Sequence, residues 1–155
     1  MNPEQKIILL VGLPGSGKST FGNELLKEHP EYVLLSSDAI RAEIGTGEND
    51  QSVTPQVFVK LKERLKTFVS DNKTVIVDAT NINIQDRKFY VDLAKQAKIK
   101  IMAYVFVCDK QTLLIRNIIR GNTGGRNVPE FVIDKMLKKY EMPSLNEGLT
   151  EIHVK

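Results

Sequence analysis

Lys6-Ile-Ile-Leu-Leu-Val-Gly-Leu-Pro-Gly-Ser-Gly-Lys-Ser-Thr20 decides the fold. Its first part is a short apolar run ending at Val11, the length and composition of a buried strand. Its second part, Gly12 to Ser19, is a complete G-x-x-x-x-G-K-[ST] phosphate loop. The order matters as much as the letters. A buried strand delivers the chain into a glycine turn, and Lys18 to Lys27 can run on as a helix. Backbone N–H groups of Gly15, Ser16, Gly17 and Lys18 then converge on phosphate oxygens, helped by the positive end of the helix dipole. Gly12, Pro14 and Thr20 complete the nucleotide-binding stretch. Lys18 is expected to reach the β- and γ-phosphates, and the Ser19 hydroxyl to bind Mg²⁺. The stretch implies a nucleoside triphosphate.

Working outward, four β-rich runs alternate with helical patterns: Lys6–Val11, Tyr32–Ser36, Thr74–Asp78 and Lys100–Val107. Each is nearly continuously apolar, as strands covered on both faces should be. Apolar residues at three- and four-residue spacing mark the helices between them: Phe21, Leu25 and Leu26; then Val57, Phe58, Leu61, Leu65, Phe68 and Val69. The latter helix is opened by Thr54 as N-cap and Pro55 in the first turn. Further helices are expected over Gln85–Lys98, Leu113–Ile119 and Phe131–Tyr140, and Ile152–Val154 could add an edge strand. Strands alternating with helices predict an α/β P-loop fold: a parallel sheet of four to five strands with helices on both faces. Gly45–Ser52 and Gly121–Asn127 are glycine-rich, without apolar anchors, and read as mobile loops.

The 155 residues are expected to form one domain across 1–155. Hydrophobic content of 41% with 26% charged residues excludes a disordered or fibrous chain. A net charge of +3 tolerates a polyanionic partner without requiring one. The single cysteine, Cys108, rules out an internal disulfide scaffold and reads as a buried structural thiol. No apolar stretch approaches 18 residues, so no membrane partner is expected, and a cytoplasmic location is the default.

In a parallel sheet, ligands gather at the carboxyl ends of the strands. The second strand ends in Ser36-Ser37-Asp38, and Asp38-Ala-Ile-Arg41 sets a carboxylate and a guanidinium one helical turn apart. A kinase needs a base for the acceptor hydroxyl's proton and a cation to orient the acceptor. The alternative is that Asp38 caps a helix over Ala39–Ile44 and Arg41 is a solvated charge. The third strand ends in Val77-Asp78-Ala79-Thr80-Asn81. Asp78 suits a group ordering Mg²⁺ water, orienting Arg41 or contacting the acceptor; it could also be a strand-end turn former. Thr80, Asn81 and Arg87 are candidate acceptor contacts, with a helix cap and a surface charge as the alternatives for the last two. Arg116 and Arg120 lie at i and i+4, near the end of a helix that breaks into Gly121-Asn-Thr-Gly-Gly-Arg126. Arg116 is the candidate nucleotide contact and Arg120 the candidate catalytic arginine of a lid, although basic residues also suit a helix C-terminus.

Together, GLPGSGKST, SSDAIR, VIVDATN and the R-x-x-x-R-G lid followed by Val128-Pro129 resemble the kinase domain of phage and bacterial polynucleotide 5′-kinases. The resemblance runs from about Lys6 to Met142. It implies that Lys18 and Ser19 bind ATP and Mg²⁺, that Asp38 is the general base toward a 5′-hydroxyl, that Arg41 orients the acceptor end, and that Arg120 meets the transferred phosphate. The chain departs from the phage pattern where Ala79 separates Asp78 from Thr80, and its lid reads longer, leaving Arg126 without a counterpart. The implied function is ATP-dependent phosphorylation of a 5′-hydroxyl end of DNA or RNA. Two other classes share the loop. One is a small-molecule kinase acting on a sugar acid, nucleoside or antibiotic hydroxyl; sparse aromatics leave base-stacking platforms unmarked. The other is a nucleotide-dependent binding module, against which Asn72-Lys-Thr-Val75 lacks the aspartate of a guanine signature.

Overall fold

The first strand, β1 (Lys6–Val11), is buried on both faces because alternate side chains meet different helix layers. Ile7, Leu9 and Val11 join the larger core, and Ile8 and Leu10 join a second one built with Phe21 and Leu25. The structure, a computed structural model, describes residues 4–125 and 127–155; Arg126 lies outside the described residues. After β1 come α1 (Lys18–Glu28), β2 (Val33–Ser36), α2 (Ser37–Ile44), α3 (Thr54–Ser70), β3 (Val75–Asp78) and α4 (Ile84–Ala97). Then follow β4 (Lys100–Val105), α5 (Lys110–Asn122), α6 (Glu130–Lys139) and β5 (Glu151–Val154).

The sheet order is β2-β3-β1-β4-β5, with every pairing parallel. β1 is therefore central, aligned with β3 from Ile7 opposite Val75 to Leu10 opposite Asp78, and with β4 from Lys6 opposite Lys100 to Val11 opposite Val105. One face is covered by α3 and α4 through Val57, Leu61, Leu65, Tyr90 and Ala94, and the other by α1. A third cluster, Leu13, Ile82, Leu113, Val128 and Ile133, seats α5 and α6 against the loop after β1. The expected fold and the fifth, edge strand are both present.

Several local expectations give way to better-satisfied alternatives. Thr54 does not cap α3: a 3-10 turn over Gln51–Val53 precedes it, and the Thr54 hydroxyl donates back to the Gln51 carbonyl at 3.0 Å. The fourth strand stops at Val105 because the chain turns toward Asp109, whose carboxylate accepts from Thr112 N–H at 2.9 Å and caps α5. That N–H and the Thr112 hydroxyl hold Asp109 below the ordinary carboxylate range. The Gly45–Ser52 loop is organised by a polar anchor instead of an apolar one. Asp50 accepts from the Thr46 N–H and the Ser52 N–H and hydroxyl.

Candidate active site

β1 ends at Val11, and the loop that follows is shaped by its glycines. A Cβ on Gly12 would stand 2.5 Å from Ser16 Oγ, and one on Gly15 would press on Asn117 and the Leu113 carbonyl. Gly15 and Gly17 also hold positive φ, at 88° and 99°. Gly17 caps α1 with no side-chain hydrogen bond, so the first turn of that helix presents its N–H groups to the loop. The Gly12 N–H is already committed to the Thr80 carbonyl at 3.0 Å.

Around this loop lies a cavity of about 600 Å³ lined by Gly15, Gly17, Lys18, Ser19, Thr20, Arg116, Ile119 and Arg120. α5 forms its far wall and braces the loop from outside. Asn117 Nδ2 donates to the Pro14 carbonyl at 2.8 Å, and Arg116 Nη1 donates to the Gly15 carbonyl at 3.1 Å. Asn117 was not singled out from the sequence, yet it carried a signal. It lies four residues after Leu113 on the inward stripe of α5, a place where an apolar residue is the ordinary choice.

Asp78, at the end of β3, lies beside Leu10 of β1 and Ser36 of β2. There it accepts a hydrogen bond from the Ser19 hydroxyl at 2.8 Å. These two hard oxygen groups on the phosphate side of the cavity have the chemistry that Mg²⁺ takes.

The acceptor side is built on α2. Its cap is Ser36, whose hydroxyl accepts from Ala39 N–H, so the capping alternative for Asp38 falls away. Asp38 sits in the first turn, and Arg41, buried one turn later, donates to its Oδ1 at 2.9 Å. Arg120 reaches across from α5 to Asp38 Oδ2 at 3.1 Å and lies 3.8 Å from Glu48. The D-x-x-R pair and the lid arginine, two separate features of the sequence, thus meet at one carboxylate.

Asn81 and Arg87 do not join them. Asn81, buried with φ 49°, donates to the Leu10 carbonyl at 2.8 Å and ties the exit of β3 to β1. Arg87 is fully buried, donating in a bidentate pair to Glu147 (2.6 and 3.1 Å) and to the carbonyls of Asn81 and Glu141. Its donors are spent on holding the loop after β3 to the chain after α6, so the expectation of a substrate contact is corrected to a structural one. Thr80 contributes its carbonyl to the loop, and its side chain is half-buried.

A phosphate loop, an oxygen pair beside it and an arginine-flanked carboxylate gather at the carboxyl ends of the strands, an arrangement suited to phosphoryl transfer, and residues 7–143 match the model of an AAA domain family. The chain belongs to that family. It is 24% identical over 149 residues to the bifunctional polynucleotide phosphatase/kinase of Schizosaccharomyces pombe, covering 96% of this chain and 33% of that protein. It is 25% identical over 151 residues to the adenylate kinase of Campylobacter fetus subsp. fetus, covering 90% of this chain and 78% of the relative. In fold it is similar to a chain in the structure of the Pnkp1/Rnl/Hen1 RNA repair complex, with a TM-score of 0.76 and 24% identity over 90% of this chain and 45% of that one. Relatives of this P-loop domain thus include both a polynucleotide phosphatase/kinase and an adenylate kinase. Among the described residues, no helix is long and apolar enough to cross a membrane.

Proposed function

We propose that this domain transfers the γ-phosphate of ATP to the 5′-hydroxyl end of DNA or RNA. The observation that carries this reading is the Asp38 carboxylate held between Arg41 at 2.9 Å and Arg120 at 3.1 Å, at the rim of the phosphate-loop cavity. The resemblance of SSDAIR and the R-x-x-x-R-G lid to polynucleotide kinases supports the nucleic-acid acceptor.

Phosphoryl transfer passes through a loose transition state in which positioning and charge do most of the work. In this reading Lys18 and the loop N–H groups hold the triphosphate, and Arg116 steadies it from α5. Ser19 and Asp78 are the residues that would hold Mg²⁺, which supplies charge neutralisation at the phosphate oxygens when bound. Arg41 orients the acceptor end, and Asp38 accepts the proton of the attacking hydroxyl. Arg120 exchanges its contact with Asp38 for the transferring phosphate, where an arginine is worth about 10³–10⁵ in rate. Its departure uncovers the base as the donor is engaged.

The test is transfer of label from γ-labelled ATP with Mg²⁺ to 5′-hydroxyl oligonucleotides of DNA and RNA, beside nucleoside and sugar-acid acceptors. Labelling of the oligonucleotide ends is expected. Transfer confined to the small hydroxyl compounds would establish the second reading, a small-molecule kinase, and overturn the first.

A further inference from the structure

A second cavity lies on the other side of the phosphate loop, and the mechanism leaves it unused. It holds about 270 Å³ and is walled mainly by apolar side chains, among them Leu13, Phe106 and Leu113. Three of its lining residues carry polar groups: Ser16, Cys108 and Tyr140. Ser16 is only 8% exposed, and its Oγ has no hydrogen-bond partner. A buried donor of this kind carries a standing cost unless something fills the place of the missing acceptor. Cys108 is half-buried in the connection between β4 and α5. Arg116 Nη1 lies 3.8 Å from its sulfur while also donating to the Gly15 carbonyl. Arg116 is at the same time a wall of the nucleotide cavity. One guanidinium therefore stands between the thiol and the triphosphate site.

We infer that Cys108 is an oxidation site whose sulfenate competes with the nucleotide for Arg116. A partly exposed thiol beside a guanidinium is the environment in which cysteines react with hydroperoxides. The sulfur, as thiolate, attacks one oxygen of the hydroperoxide. The S–O bond forms as the O–O bond breaks, the sulfur loses two electrons, and hydroxide (or alkoxide) leaves and takes up a proton. The new oxygen is a strong acceptor on a cavity wall that includes Ser16, whose hydroxyl is unpaired, and it forms beside the Arg116 guanidinium, which lies outside that cavity. With its charge drawn to the sulfenate, Arg116 is withheld from the phosphates, and nucleotide affinity falls. Excess thiol restores the cysteine by forming a mixed disulfide with loss of water and then exchanging it. The inference rests on the nucleotide reading of the loop and is independent of the acceptor's identity.

Reduced protein is titrated with fluorescent ADP, treated with a small excess of hydrogen peroxide, and titrated again. A dimedone trap and peptide mass analysis locate the oxidised residue. The expected result is one dimedone adduct, on Cys108, and a roughly tenfold weaker Kd for ADP before trapping, reversed by dithiothreitol. Cys108→Ser should bind ADP like the reduced parent and ignore peroxide. Ser16→Ala should still form the adduct, but its sulfenate should be shorter-lived. Absence of a Cys108 adduct, an ADP Kd unmoved by a formed sulfenate, or equal weakening in Cys108→Ser would each overturn the inference. A reduced parent that binds no ADP would instead refute the nucleotide reading, while the adduct and its Ser16 dependence would still judge the oxidation site.

Discussion

Asp38 and Arg87 show how differently two charged residues near strand ends can be used. Asp38 keeps partial exposure and faces two arginines, whereas Arg87 is sealed from water and saturated by Glu147 and two carbonyls. The D-x-x-R spacing made the first legible, since residues three apart share a helix face. Nothing in the spacing of Arg87 foretold its partner, because Glu147 lies 60 residues away and only the tertiary fold brings them together. Asp38→Ala is expected to lower phosphoryl transfer by about 10²–10⁴ while ADP affinity stays within about twofold, measured by label transfer and fluorescence titration. Full activity in that variant would remove Asp38 from the mechanism. Arg87→Met is expected to strand a buried carboxylate at a cost of about 3–5 kcal/mol, visible as a drop in melting temperature of roughly 6–20 °C. Pairing it with Glu147→Leu should recover only part of that loss, because the stranded carboxylate is removed while the Asn81 and Glu141 carbonyls stay without their donor.

Among the elements, α5 has the most concentrated role: Arg116, Asn117 and Arg120 project from little more than one turn onto the loop and the Asp38 carboxylate. The two arginines were legible as an i, i+4 pair. The asparagine was not, because an amide inside an apolar stripe is recognised only once the carbonyl it serves, that of Pro14, is placed beside it. Asn117→Leu keeps the branched shape of the side chain and leaves that carbonyl unmet, so the ATP KM should rise roughly tenfold or more with a smaller change in kcat. The loop between α2 and α3 answers to pH instead. The Ser52 hydroxyl and the Thr46 N–H hold Asp50 below its ordinary value. A depressed folded pKa means that this support is complete above about pH 3.9 and is lost as pH falls through the lower, folded value. Carboxylate shifts followed by NMR should therefore give Asp50 a midpoint below about 3.9. Asp50→Asn should release the Thr46 and Ser52 amides to solvent exchange at neutral pH.

On the scale of the whole molecule, the parallel sheet was legible from nearly unbroken apolar runs, since a strand covered on both faces needs no polar residues. The strand order was not legible, because periodicity says which faces are buried and is silent on which neighbours lie alongside. That order, β2-β3-β1-β4-β5, puts the earliest of the five strands in the middle of the sheet. β1 pairs only with β3 and β4, and its loop is braced by Asn117. At roughly 5–20 residues per second, a nascent chain holds β1 without any partner for about 3–15 s. Chaperone capture and mispairing should concentrate in that interval. Ribosome-bound chains stalled before β3 should have no resistance to protease around β1, and those stalled after α5 should be the first to retain ADP. The nucleotide loop is made before the elements that brace it and becomes a binding site only once α5 has followed.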